Sequence, residues 1–206
     1  MIAIIDYDAG NIKSVEKALA ALGQDVIVTR DRETILAAEG VILPGVGAFG
    51  DAMQKLHDYN LVNTIHDVVE KKTPFLGICL GLQLMFESSE ETPGVEGLGL
   101  LKGKIVRIPE RDGLKIPHIG WNNLAYPNQG RLYRDIPENS YVYFVHSYYL
   151  QAEEPEIVRA TCDYGVTIQA SVEKDNVFAC QFHPEKSSAV GMKILDNFIK
   201  VVKGEN

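Results

Sequence analysis

Cysteine is scarce. The 206 residues hold three, Cys79, Cys162 and Cys180, with no CxxC spacing among them. An odd set so placed argues against a disulfide framework and against a structural zinc site. Clusters of basic residues are missing too: 20 Lys and Arg stand against 28 Asp and Glu, a formal net charge of -8. A chain without a concentrated positive face is a poor match for nucleic acid or for an anionic membrane surface. Every apolar run is broken by Gly, Pro or a charge before it reaches the length of a membrane span. The opening MIAIIDYDAGN has no basic stretch ahead of its apolar one, so no signal peptide is expected. Free thiols and no export signal point to a reducing cytoplasm. There is no GxxxxGK[ST] phosphate loop, no internal repeat and no linker-like segment. A single domain over residues 1–206 is expected, with no metal and no cofactor.

What is present begins as an alternation of strand and helix. MIAIID is a short continuous apolar run, suited to a strand buried on both faces. NIKSVEKALAALG follows with Ile12, Val15, Leu19 and Leu22 at helical spacing and Gly23 as a stop. DVIVTR reads as a strand, DRETILAAEG as a helix closed by its glycine, and GVILPG as a strand ended by Pro44. Helical stretches around 51–58 and 61–71 lead to the strand PFLGIC. This order predicts a parallel sheet with helices on both faces. The second half changes to strand-like runs: GKIVRIP, IPHIGWNNL, YVYFVHSYYL, EIVRATCDYG, VTIQASVEKD and NVFACQFHP. They are expected to extend the sheet in antiparallel fashion. SSAVGMKILDNFIKVVK closes the chain as an amphipathic helix, with Val190, Ile194, Phe198 and Val201 or Val202 inward.

One of the three cysteines sits in GICLG, residues 77–81. This has the form of a nucleophile elbow, a sharp strand-to-helix turn whose neighbours must be small because adjacent chains pass close. Gly77 and Gly81 supply the room. A helix starting near Leu80 would favour the thiolate by its positive end and offer free N–H groups to an oxyanion. Taken alone, Cys79 reads equally well as a small core residue. Gln83, a polar amide on the same helix face, and a distant segment tip the balance. That segment is FACQFHPEKS. His183 precedes Pro184, which favours extended geometry, and Glu185 two residues on then shares its side. A carboxylate on one ring nitrogen sets the tautomer and leaves the other to face a nucleophile. His57 and His66 fall on polar helical stretches and read as solvated. His118 and His146 are candidates for a cleft wall.

The elbow GICLGLQ and the C-terminal HPE resemble the class I (triad) glutamine amidotransferases, and the likeness runs through the whole chain. Within that family, DYDAGN (6–11), PGVGAFGDAM (44–53), HIGWN (118–122) and FVHSYY (144–149) resemble the glutaminase subunits of imidazole glycerol phosphate synthases. The resemblance implies a three-layer, flavodoxin-like α/β fold. It makes Cys79 the nucleophile on L-glutamine, His183 the proton carrier and Glu185 its orienter. It also implies an oxyanion hole of Val46, Gly47 and Leu80, and glutamine contacts at Gln83, Glu91, His146, Ser147 and Tyr148. By itself the ESSEE run around Glu91 reads as a solvated acidic loop. The family pairs such a chain, as a heterodimer, with a (β/α)8-barrel cyclase that takes up the ammonia in histidine biosynthesis. That places Asn11, Trp121, Tyr143 and Lys186 near the barrel. Read from residues alone, Asn11 could equally cap its helix and Trp121 could be core. Other readings are a glutaminase serving pyridoxal phosphate synthesis, a cysteine peptidase or amidase on a similar sheet, and a non-catalytic relative. Because an unpartnered glutaminase wastes glutamine, the Gly45–Gly47 strand is expected to leave the oxyanion hole incomplete until the cyclase and its ligand bind.

Overall fold

Apolar alternation along the first strand divides the core in two. In β1 (Ile2–Ile5), Ile2 and Ile4 belong to one buried cluster and Ala3 and Ile5 to the other. The same split recurs in β3 (Gly40–Gly45) and β4 (Phe75–Cys79), where Ile42, Leu76 and Ile78 face one way and Val41, Leu43 and Phe75 the other. A sheet buried on both faces needs helices on both. The computed structural model, which describes residues 1–8 and 10–205, supplies them. On one face lie α1 (Ile12–Ala21) and the C-terminal α6 (Ser188–Val202), inserting Val15, Leu19, Ile194 and Phe198. On the other lie α2 (Arg32–Ala37), α3 (Phe49–Asp58) and α4 (Leu61–Glu70), inserting Ile35, Phe49, Leu56 and Ile65.

With β2 (Val26–Thr29), β10 (Val158–Asp163), β11 (Thr167–Lys174) and β12 (Val177–Cys180), the central sheet has seven strands in the order β10-β11-β12-β4-β3-β1-β2. The pairs from β12 to β2 are parallel; β10–β11 and β11–β12 are antiparallel. The expected antiparallel extension is therefore real, but only three of the six later runs build it. β6 (Gly103–Arg107) pairs with β9 (Tyr148–Ala152) and with the two-residue β5 (Ser88–Ser89) in a separate small sheet. β7 (His118–Asn123) pairs with β8 (Tyr141–His146) in another. YVYFVHSYYL is thus two strands, parted at Ser147, because its halves serve different sheets.

Two local stops also differ from expectation. The helix of DRETILAAEG ends at Ala37, capped at its start by the Asp31 carboxylate accepting from the Thr34 amide at 2.8 Å. Gly40 is not its terminator but the first residue of β3, tight against Val202 of α6. Pro44 does not end β3 either. The β1–β3 ladder stops at Ile42, so Pro44 stands where β3 keeps only β4 as a ladder neighbour, and a missing N–H is tolerated there. Ala9 of DYDAGN and Asn206 lie outside the described residues. Among those residues, no helix is long and apolar enough to cross a membrane.

Candidate active site

The carboxyl edge of the parallel strands is where α/β folds assemble sites, and three strand ends meet there. Gly45 of β3 pairs with Cys79 of β4, while Cys180 of β12 pairs with Ile78, which sets Gln181 beside Cys79. Cys79 has φ 56° and ψ -110°, a conformation costly for a side-chain-bearing residue and typical of functional strain. Its glycines are obligatory. A Cβ on Gly81 would lie 1.9 Å from the Leu43 carbonyl oxygen, and one on Gly77 2.7 Å from the Gly81 oxygen. The helix that follows, α5 (Leu80–Leu84), has only five residues. It offers its first free amides but has scarcely more than one turn to sum into a dipole, so the long-helix argument from the sequence carries little here.

His183 is buried, 2% exposed, and its Nδ1 stands 2.7 Å from Glu185 Oε1, whose side chain is wholly enclosed. The two share a side, though not as neighbours on an extended strand: Pro184–Lys186 form a single 3-10 turn. β8 holds that turn in place. The Tyr143 carbonyl accepts from the His183 amide at 2.9 Å, and the Tyr143 amide donates to Ser187 Oγ at 2.9 Å. Burial alone would lower the His183 pKa; hydrogen bonds to the Cys79 sulfur and to Glu185 outweigh it and raise the value to about 9. With Nδ1 on Glu185, Nε2 is the nitrogen left for the sulfur. The three side chains predicted to act together are together.

Asn11 does not cap α1 with its side chain. Its amide donates to Glu185 Oε1 and lies 3.5 Å from His183 Nδ1. The other buried histidines form their own chain. His146 Nδ1 donates to the Tyr148 carbonyl at 2.9 Å, so its Nε2 accepts from His118 Nδ1, also at 2.9 Å. Burial lowers the pKa of His118 to about 4 and that of His146 to about 3, and both are neutral. His57 and His66 are exposed.

In front of Cys79 lies a cavity of about 530 Å³. Val46, Gly47, Leu80, Gln83, Glu91, His146, Ser147, Tyr148 and His183 line it, joined by Lys186, Arg107, Pro117 and Val145. Glu91 is no free loop carboxylate: its Oε2 accepts from the Phe49 amide at 2.8 Å at the start of α3. Arg107 was not foreseen, since a single arginine at a strand end has no signature in sequence. Trp121 and Tyr143 do not line the cavity. They pair across β7–β8 with ring centroids 5.9 Å apart, and Trp121 is 50% exposed. A second hollow of about 600 Å³, beside Tyr126, Arg134 and Lys200, contains none of the triad.

Comparison with known proteins agrees with this geometry. The family "Glutamine amidotransferase class-I" matches residues 3–202. This chain belongs to the class I glutamine amidotransferases. Several curated relatives within the family carry one name. The imidazole glycerol phosphate synthase subunit HisH of Moorella thermoacetica is 52% identical over 98% of this chain and 95% of its own length. That of Thermosynechococcus vestitus is 50% identical over 98% and 97%. The HisH of Methanocaldococcus jannaschii is 48% identical over 98% of this chain and all of its own. Among solved structures, a glutamine amidotransferase superposes with a TM-score of 0.76 at 18% identity, covering 98% of this chain and 100% of that one. PurLQS from Thermotoga maritima gives 0.73 at 20%, covering 98% of each. At such identity these two bear on the fold, a class I amidotransferase α/β architecture.

Proposed function

We propose that this chain is the glutaminase subunit of an imidazole glycerol phosphate synthase, releasing ammonia from L-glutamine for a cyclase partner in histidine biosynthesis. The observation that carries the chemistry is the run Cys79–His183–Glu185 at the wall of a cavity with charges of both signs at its mouth. Glu91 suits the α-ammonium of a free amino acid, and Arg107 and Lys186 suit its carboxylate. The side-chain amide then reaches the sulfur.

The Cys79 thiolate attacks the carboxamide carbon. The tetrahedral oxyanion is held by the Leu80 amide and the Val46–Gly47 segment that follows β3. Imidazolium His183 gives its proton to the leaving nitrogen, so ammonia departs and a glutamyl thioester remains. Neutral His183 next takes a proton from water, whose oxygen displaces the thiolate and releases glutamate. Glu185 holds the imidazole through both steps.

The partner reading rests on a surface. The outward face of β7–β8 exposes Ile119 (59%), Trp121 (50%) and Tyr141 (57%), an apolar group of the kind that marks an interface. Asn11 donates to Glu185 and Lys186 follows Glu185 in the same turn, and we assign them with this face to a (β/α)8-barrel cyclase in a cytoplasmic heterodimer. Glutamate release is measured with and without the cyclase and its ligand. Weak release alone and strong release with the partner support the reading, and Cys79→Ala removes both. Release that survives Cys79→Ala, or full activity without any partner, overturns it.

A further inference from the structure

Gln181, two residues ahead of His183, has no role assigned to it from the sequence, yet it is fully buried beside the nucleophile. The β12–β4 register puts it beside Cys79, and its own amide is anchored on the Ala170 carbonyl at 2.8 Å. Its side-chain Nε2 lies 3.8 Å from Cys79 Sγ, and its Oε1 lies 3.0 Å from Gln83 Nε2.

Amide oxygen and nitrogen are easily exchanged in assignment, but here a group that cannot flip decides both. Gln83 faces the backbone carbonyl of Tyr148 at 3.1 Å. A carbonyl only accepts, so Gln83 must present its NH2 there, and the same NH2 reaches Gln181. Gln181 must answer with its oxygen, which turns its own NH2 to the sulfur. The chain of donors runs one way, from buried amide to nucleophile. We propose that Gln181 is a further catalytic residue of this glutaminase, whose side-chain N–H holds the Cys79 thiolate while Gln83 keeps its carbonyl oxygen for the substrate side.

Proton movement makes the donor matter. As a thiol, Cys79 faces the Val145 carbonyl at 3.9 Å. When its proton passes to His183 Nε2, that carbonyl has nothing left to accept, and a bare lone pair would face the sulfur. The Gln181 N–H is then a neutral donor opposite His183. The titratable neighbours do not replace it. Tyr7 and Cys180 are driven upward in pKa by burial and stay protonated. The remaining charges near the sulfur are His183, Glu185 and, lining the cavity, Lys186, Arg107 and Glu91, and substitution of Gln181 leaves all five in place.

The proposal rests on the glutaminase reading for its purpose but is measured apart from it. Iodoacetamide alkylation of Cys79 is followed from pH 5 to 9 in the full chain, with the unfolding midpoint recorded for each variant. Gln181→Met keeps the volume and removes the donor. Gln181→Glu keeps an acceptor for Gln83 but turns an oxygen on the sulfur. Both are expected to move the alkylation midpoint upward, Glu more than Met, by about one pH unit for Met, a tenfold fall in reactive thiolate at a fixed pH. kcat falls with it more than KM rises. A folded Gln181→Met with the parental alkylation profile overturns the proposal, even if Gln181→Glu fails to fold. If the parent chain alkylates as expected but releases no glutamate with any partner, the glutaminase reading falls instead.

Discussion

Replacing His118 by Phe tests whether two histidines are held neutral in the core. His118 is stacked between Phe144 (ring centroids 4.8 Å) and Tyr164 (3.8 Å), and donates to His146. Burial lowers its pKa from 6.5 to about 4, and that of His146 to about 3. Below pH 6.5 the unfolded chain takes up protons that the folded chain refuses. Each histidine therefore contributes stability that is complete above 6.5 and is lost as pH falls toward its folded value. Between pH 7 and pH 5 the loss is about 2 kcal/mol for each, about 4 kcal/mol for the pair. His183 acts in the other direction: its contribution is complete below pH 6.5 and is lost as pH rises through about 9, so it offsets a small part of the acid loss, equally in parent and variant. His118→Phe lowers stability at pH 7 by roughly 1–3 kcal/mol, because His146 Nε2 loses its donor in a buried place. It also removes one of the two acid-sensitive groups. Urea unfolding of parent and variant at pH 7, 6 and 5 should show the gap between them closing by about 2 kcal/mol. Parallel curves would refute the claim that His118 is neutral when folded.

Two further outcomes follow from the site. Gly81→Ala forces a methyl against the Leu43 carbonyl and should cost about 3 kcal/mol or more by urea unfolding, whereas Gly113→Ala, with φ 81° but open space around it, costs only the backbone strain of about 1–2 kcal/mol; equal losses would show that the elbow is not closely packed. Asn11→Ala leaves Glu185, among the described residues, with His183 as its one hydrogen-bond donor, so kcat in the presence of the cyclase should drop about tenfold, the scale of one charge-assisted bond, with KM little changed since Asn11 does not line the cavity. A rise in KM alone would mean that Asn11 acts on glutamine and not on the dyad.

Much of this protein is written in local patterns. Apolar runs fit for two-sided burial, helical spacing in NIKSVEKALAALG, and glycines around Cys79 all act over a few residues, and each appears in the fold where expected. HPE was legible because Pro184 and a neighbouring carboxylate constrain His183 within three positions. Arg107 escaped notice because nothing beside it in sequence marks it, and Gln181, though two residues from His183, because chain proximity does not show which group its side chain meets. Gln181 acquires its role only when β12 inserts beside β4, a strand about a hundred residues earlier.

The sequence by itself determined the alternation of elements, the tight glycine-flanked turn at Cys79 and the pairing of His183 with Glu185, since these depend on backbone preference and side-chain chemistry close in the chain. Tertiary structure alone decided that YVYFVHSYYL divides between two small sheets, that Asn11 turns from its helix to Glu185, and that Gln181 faces the sulfur. Those outcomes depend on which strands become neighbours, and strand pairing across long loops follows from the whole core's packing and hydrogen-bond satisfaction, which no local window contains.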